Sequence, residues 1–256
     1  MSGTEPKPLE GKTALVTGAS MNLGAVTART LAEQGATVAI NYLSGEDEPA
    51  QVLKSLRPHG QPSYAIPGNL ADGPQVMAVV EQALERLGGR VDILVNNAGP
   101  FNGQAFADLP EVEWDRILDV NLKAAYLAAQ GVIPGMRQAG WGRIINMAAG
   151  SAFIRNHGIY GLAKGAVILL TEALALELGP QITVNAIAPG QIAESAPDIS
   201  AIDPTFVARA IAHSPSGRLV TRPEVAQLIA WLCSPPADQI TGHTIPIDGG
   251  WRFNRF

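Results

Sequence analysis

Short, almost unbroken apolar runs recur along the 256 residues, and longer stretches of helical periodicity separate them. Thr13–Thr17, Thr37–Asn41, Val91–Asn96, Arg143–Met147, Ile182–Ala188 and Thr244–Ile247 read as strands. Apolar residues fill nearly every position instead of alternating with polar ones, the pattern of a strand covered on both faces. Ala25–Glu33, Pro74–Leu87, Glu113–Gln130, Tyr160–Leu178 and Pro223–Leu232 read as helices between them. Strand and helix in alternation predict βαβ units, hence an α/β chain with a doubly wound parallel sheet and helices on both faces. With 46% hydrophobic and 16% charged residues, there is material for a large core. No linker-like shift in composition divides the chain. Residues 1–10, with Pro6 and Pro8, read as a flexible N-terminus, and residues 11–256 as a single domain.

Charge and thiol count exclude several classes of function. The net charge is −5 with no run of Lys or Arg, so no footprint for nucleic acid or an anionic membrane is present. Cys233 is the only cysteine and the four histidines are scattered, which leaves no disulfide and no metal-ligand spacing. A free thiol and a polar, Pro-rich start without a leader point to the cytoplasm. No uninterrupted apolar run is long enough to span a membrane. Tyr160–Leu178 carries only Lys164, Glu172 and Glu177 as charges, and Ile117–Ile133 is similarly poor. Helices apolar nearly all round are buried on both sides. In a domain of this size the outer helices face water, so a second copy of the chain is the expected cover.

The first strand runs into Thr17-Gly18-Ala19-Ser20-Met21-Asn22-Leu23-Gly24 and then a helix. Small residues let backbone N–H groups approach a pyrophosphate, whose charge the helix N-terminus favours. No Gly-Lys-Ser/Thr follows, so this is not a Walker loop. The second strand ends at Asn41-Tyr42-Leu43-Ser44. An acidic residue there would bind a ribose 2′-hydroxyl and repel a 2′-phosphate. Neutral Asn41, with Ser44 nearby, favours NADP(H) over NAD(H), while Glu46, Asp47 and Glu48 read as a solvated helix start. Asn96-Asn97-Ala98-Gly99 follows the fourth strand, and Tyr160 and Lys164 lie one helical turn apart on one face. An ammonium beside a phenol lowers the phenol's pKa and makes Tyr160 a proton donor near neutral pH.

In this order and spacing, the motifs resemble the short-chain dehydrogenase/reductase family from Leu9 to Gly250. Asn121 in Asp119-Val120-Asn121, Pro189-Gly190, Thr241-Gly242 and Asp248-Gly249-Gly250 belong to the resemblance. It implies a Rossmann-type domain, a nicotinamide cofactor, hydride transfer to or from a carbonyl carbon of a small molecule, and a homotetramer, with a dimer as the alternative. It makes Tyr160 the general acid/base and Lys164 the residue that holds the nicotinamide ribose. Asn121 would anchor a water for proton relay. Asn97, Ala98 and Gly99 would line the adenosine side, and Ile192 would hold the carboxamide.

The chain also departs from the family pattern. Asn22 stands at a motif glycine, and Asn tolerates the left-handed conformation better than other side chains. Leu23-Gly24 resembles the pteridine-reductase branch. Asn69-Leu70 replaces the usual Asp that reads adenine, and Glu194 replaces a Thr and is expected to turn away from the pyrophosphate. Ala149 stands where the catalytic serine belongs, and Ser151, two residues on, is the candidate replacement. His157 is a second candidate contact. Residues 191–215 read as a substrate lid, and the tail Trp251–Phe256 as a segment that packs on a neighbouring subunit. Two rival functions follow: a catalytically weak dinucleotide-binding module, and a reductase of C=N or C=C bonds.

Overall fold

The computed structural model describes residues 6–153 and 158–253. Strands β1 (Thr13–Val16), β2 (Thr37–Tyr42), β3 (Ser63–Pro67), β4 (Ile93–Asn96), β5 (Gly142–Met147), β6 (Ile182–Pro189) and β7 (Thr244–Ile247) form one sheet. Its order is β3-β2-β1-β4-β5-β6-β7, and every neighbouring pair is parallel. Leu15 of β1 shows why the strands are apolar throughout. It pairs with Ala39 and Leu94 across the sheet, and its side chain enters one core while Ala14 and Val16 enter the other. Helices α1 (Asn22–Glu33), α2 (Asp47–Leu56) and α9 (Arg222–Leu232) cover the first core with Ala28, Leu31, Val52, Val225 and Ile229. Helices α3 (Gly73–Arg86), α5 (Ala124–Ala139) and α6 (Gly158–Leu178) cover the second with Val76, Val80, Ala128, Val132 and Leu174. This is the expected single-domain, doubly wound fold. The strand order reverses between β1 and β4, which opens a crevice at their C-terminal ends.

Several expectations are corrected. Ordered structure begins before residue 11: Leu9 is fully buried and its N–H donates to the Gln34 carbonyl at 2.9 Å. The helix expected over 113–130 is interrupted: α4 (Glu111–Leu118) passes through a π-helical turn, Asp119–Lys123, into α5. Such a turn inserts a residue into the hydrogen-bond ladder and is frequent at functional sites. The segment 191–215, expected as a lid, contains two short helices, α7 (Ala196–Ile202) and α8 (Phe206–His213). By length and composition alone α6 is long and apolar enough to cross a membrane, contrary to expectation. Here its inner face is buried against the sheet, and Leu162, Leu169 and Leu176 remain exposed on the outer one. The described part of the tail, 251–253, makes contacts within its own chain. Trp251 stands against Gly150, and the Arg252 guanidinium lies over the Phe153 ring, 5.3 Å from its centroid. Residues 254–256 lie outside the described residues.

Candidate active site

The turn between β1 and α1 is closed so tightly that two of its positions exclude a side chain. At Gly24 a Cβ would stand 2.5 Å from the Gly18 carbonyl oxygen and 2.6 Å from Asn97 Nδ2. At Gly18, with φ of +58°, it would stand 2.9 Å from Ala98. Asn22, with φ of 52°, is the one non-glycine residue among the described residues in the left-handed region, as its amide side chain allows. Ser20 and Leu23 are half-buried beside it. A bare backbone at a helix N-terminus is what a pyrophosphate needs, so the cradle fits a dinucleotide.

Two asparagines expected to face the cofactor are instead spent on holding this turn. Asn41 is buried, accepts the Gly18 N–H at 3.2 Å, and donates to the Ile66 and Gly68 carbonyls. Its amide has no face left for a ribose. The exposed end of β2 belongs to half-buried Tyr42 and to Leu43 and Ser44. Asn97 donates from Nδ2 to the Thr17 and Gly18 carbonyls at 3.0 and 2.9 Å. The Thr17 hydroxyl accepts the Asn97 and Ala98 N–H groups. Asn69 is exposed and its Oδ1 accepts the Ala71 N–H, while Leu70 is buried.

The structure brings Tyr160, Lys164, Asn121 and Gly99 together. Lys164 Nζ lies 5.5 Å from the Tyr160 ring centroid and donates to the Met147 carbonyl at 2.7 Å. Asn121, in the π-helical turn, donates to the Ile117 and Pro100 carbonyls at 2.9 and 3.1 Å. Its Oδ1 is buried without a hydrogen-bond donor among the described residues. A Cβ on Gly99 would collide with that oxygen and stand 2.9 Å from Lys164 Nζ, so Gly99 lies at the catalytic end rather than the adenosine side. Burial governs both titrations. It pushes the Tyr160 phenol up to about 12 and the Lys164 ammonium down to about 7. The expected lowering of the Tyr160 pKa is absent, because desolvation outweighs a neighbouring amine that is itself driven towards neutrality.

After β5, Ala148 and Ala149 lead into a 3₁₀ turn, Gly150–Ala152, that packs against α6. Ser151 sits in this turn with its hydroxyl shielded from solvent. His157 lies outside the described residues. Pro189 and Gly190 close β6, where a Cβ on Gly190 would meet Asp248 at 2.8 Å. Ile192 forms an isolated parallel bridge with Val220. The Glu194 carboxylate accepts the Arg222 N–H at the start of α9, at 3.1 and 3.2 Å. The described residues contain no cluster able to hold a metal. Sequence reasoning missed Thr17, Met147 and Phe101, whose ring meets Tyr160 edge-on at 5.2 Å. The first two act through backbone partners and leave no signal; an aromatic directly after Gly99-Pro100 was legible.

Residues 18–252 match the family model described as enoyl-(acyl carrier protein) reductase. The 3-oxoacyl-[acyl-carrier-protein] reductase FabG of Staphylococcus aureus is 36% identical over 242 residues, 93% of this chain and 97% of its own. A 7α-hydroxysteroid dehydrogenase, solved with NADH and 7-oxo glycochenodeoxycholic acid, superposes with a TM-score of 0.89 at 30% identity, covering 98% of both chains. A blue fluorescent protein from a metagenomic library, solved with NADPH, gives 0.84 at 32% identity over 95% of this chain and 99% of its own. The chain belongs to the short-chain dehydrogenase/reductase family of NAD(P)-dependent oxidoreductases.

Proposed function

We propose that this enzyme interconverts a carbonyl and an alcohol on a small molecule, with Tyr160 as the general acid and base. The placing of Lys164 and Asn121 against Gly99, with Tyr160 beside Lys164, carries the reading. A pure dinucleotide-binding module has no use for a phenol, a buried amine and a buried orphan carbonyl at one point. Gly18, Ser20, Asn22, Leu23 and Gly24 hold the pyrophosphate from the turn, and Pro189, Gly190 and Ile192 border the nicotinamide end. Bound there, the nicotinamide supplies or accepts a hydride. Tyr160 gives its hydroxyl proton to the carbonyl oxygen during reduction and takes it back during oxidation. Its high pKa keeps the proton in place until a substrate oxygen arrives. Lys164 and a water accepted by Asn121 Oδ1 form the route by which that proton is replaced. Ser151 is our candidate for the hydroxyl contact that Ala149 cannot make.

The end of β2 offers Tyr42, Leu43 and Ser44 and no carboxylate, which favours NADP(H). Glu46, Asp47 and Glu48 follow at the start of α2, and the Glu48 carboxylate folds back against Gly45. The apolar outer face of α6, where Leu169 is 67% and Leu176 90% exposed, supports a homo-oligomer, a tetramer by family habit. The free thiol of Cys233 is fully buried, in keeping with a reducing cytoplasm.

Titration of wild type and Tyr160→Phe with NADPH and NADH, alongside turnover of a carbonyl panel, tests the reading. Tyr160→Phe is expected to keep cofactor affinity and lose about 10²–10⁴-fold in kcat. Equal turnover in both proteins rejects Tyr160 as the acid, and activity on imines or enoyl compounds alone rejects the carbonyl. Preference for NADH would assign the ribose to a carboxylate of the Glu46-Asp47-Glu48 run.

A further inference from the structure

We propose that Phe101 selects the substrate, and that the substrate is a ketone carrying a ring next to its carbonyl. The inference rests on the carbonyl reading above. Phe101 is 71% exposed, yet it is not loosely held. Its ring meets Tyr160 edge-on at an interplanar angle of 67°, and a Cβ on Gly103 would stand 3.2 Å from its rim. On one side the Pro100 carbonyl accepts from Asn121, and on the other the Asn102 side-chain amide donates to the Glu113 carboxylate at 2.9 Å. An aromatic ring is thus presented to solvent beside the proton donor. Burying that face against a flat apolar group is favourable, and offset or edge-on contact between rings adds to it.

The neighbouring loop supplies a second half-open ring. Phe153 follows the Gly150–Ala152 turn, is 39% exposed, and carries the Arg252 guanidinium over its face. Both loops therefore offer a ligand an apolar ring, and a ring ketone has a surface to pack against here.

The experiment compares acetophenone and cyclohexanone with 2-butanone and acetoacetate, for the cofactor-loaded wild type and Phe101→Ala. Phe101→Ala is expected to raise KM for the ring ketones at least tenfold, to change kcat less, and to alter 2-butanone kinetics less than twofold. Quenching of bound NADPH fluorescence by acetophenone gives a Kd that should weaken in parallel. An equal effect on every ketone, or a preference of the wild type for acetoacetate, overturns the proposal. So does a changed oligomeric state with unchanged kinetics, which would make Phe101 an interface residue. A protein that binds cofactor but reduces none of these ketones, while reducing imines or enoyl compounds, fails the carbonyl reading itself.

Discussion

The cofactor cradle and the substrate mouth stand at the same end of one parallel sheet but are built on opposite plans. The cradle is backbone held by side chains. Asn41, Thr17 and Asn97 spend their hydrogen bonds on a turn whose two glycines leave no space for a Cβ. The proposed mouth is built of side chains: Phe101 and Phe153 project from loops after β4 and β5, and the segment after β6 adds two short helices and a bridge from Ile192 to Val220. One half is specified by what must be absent and the other by what is present. The cradle can therefore serve any relative that binds the same dinucleotide, whereas the mouth can change with the substrate.

The sharpest way to break the cradle is to add a single methyl group. Gly24→Ala places a Cβ within 2.7 Å of three groups at once: the Gly18 carbonyl, the Asn97 amide and the Ala19 Cα. Two of these are backbone and cannot rotate away, so the turn must move. We expect a loss of about 3 kcal/mol in stability, in the range of an overpacked core site, together with loss of NADPH binding. Urea denaturation and a cofactor titration read the two effects. The same substitution at exposed Gly89, whose Cβ would meet nothing within 4 Å but whose φ is +92°, measures left-handed strain without collision.

A pH-dependent effect, at most about 1.4 kcal/mol over any one pH unit, sharpens the boundary between the halves, where Lys164 sits. Its pKa falls to about 7 in the folded protein from an ordinary 10.5. Between those values the unfolded chain holds a proton that the folded one has released, so stability rises with pH across that window. Below pH 7 both states are protonated and the contribution is flat. The stability of wild type relative to Lys164→Met should therefore increase from pH 7 towards pH 10, by at most about 1.4 kcal/mol per pH unit. Thermal melts of both proteins from pH 6 to 10 measure it. A constant difference would mean that Lys164 stays charged in the folded protein.

The contrast also decides what could be read from the chain. Strand positions, the glycine turn and the Tyr160–Lys164 pair are local patterns, and the apolar runs predicted a sheet covered on both faces because each residue reports its own environment. Asn41 was misread because its role depends on Gly18, Ile66 and Gly68, which only the fold brings to it. The pKa of Tyr160 was misjudged for a similar reason: the pairing with Lys164 is sequential, but desolvation is tertiary and larger. Leu9, one apolar residue among prolines and charges, gave no periodicity to detect, yet it fills the core. The π-helical turn at Asp119–Lys123 left the helical pattern intact on either side and so stayed hidden.

The mildest test asks whether the cradle relies on any side chain at all. Asn22 occupies a left-handed position, φ 52°, where a Cβ is tolerated for Asn but disfavoured by about 1–2 kcal/mol for most residues. Asn22→Gly removes the conformational restriction and also loosens the unfolded chain, two changes that oppose each other. The net effect should be within about 0.5 kcal/mol of wild type, whereas Asn22→Ala should lose about 1 kcal/mol. Cofactor affinity is the more telling readout. If backbone N–H groups at the start of α1 carry the pyrophosphate, Asn22→Gly binds NADPH within about threefold of wild type, since RT ln 3 is roughly 0.65 kcal/mol. A tenfold weakening with unchanged stability would instead give the Asn22 amide a direct phosphate contact. The cradle would then depend on a side chain, as the substrate mouth does.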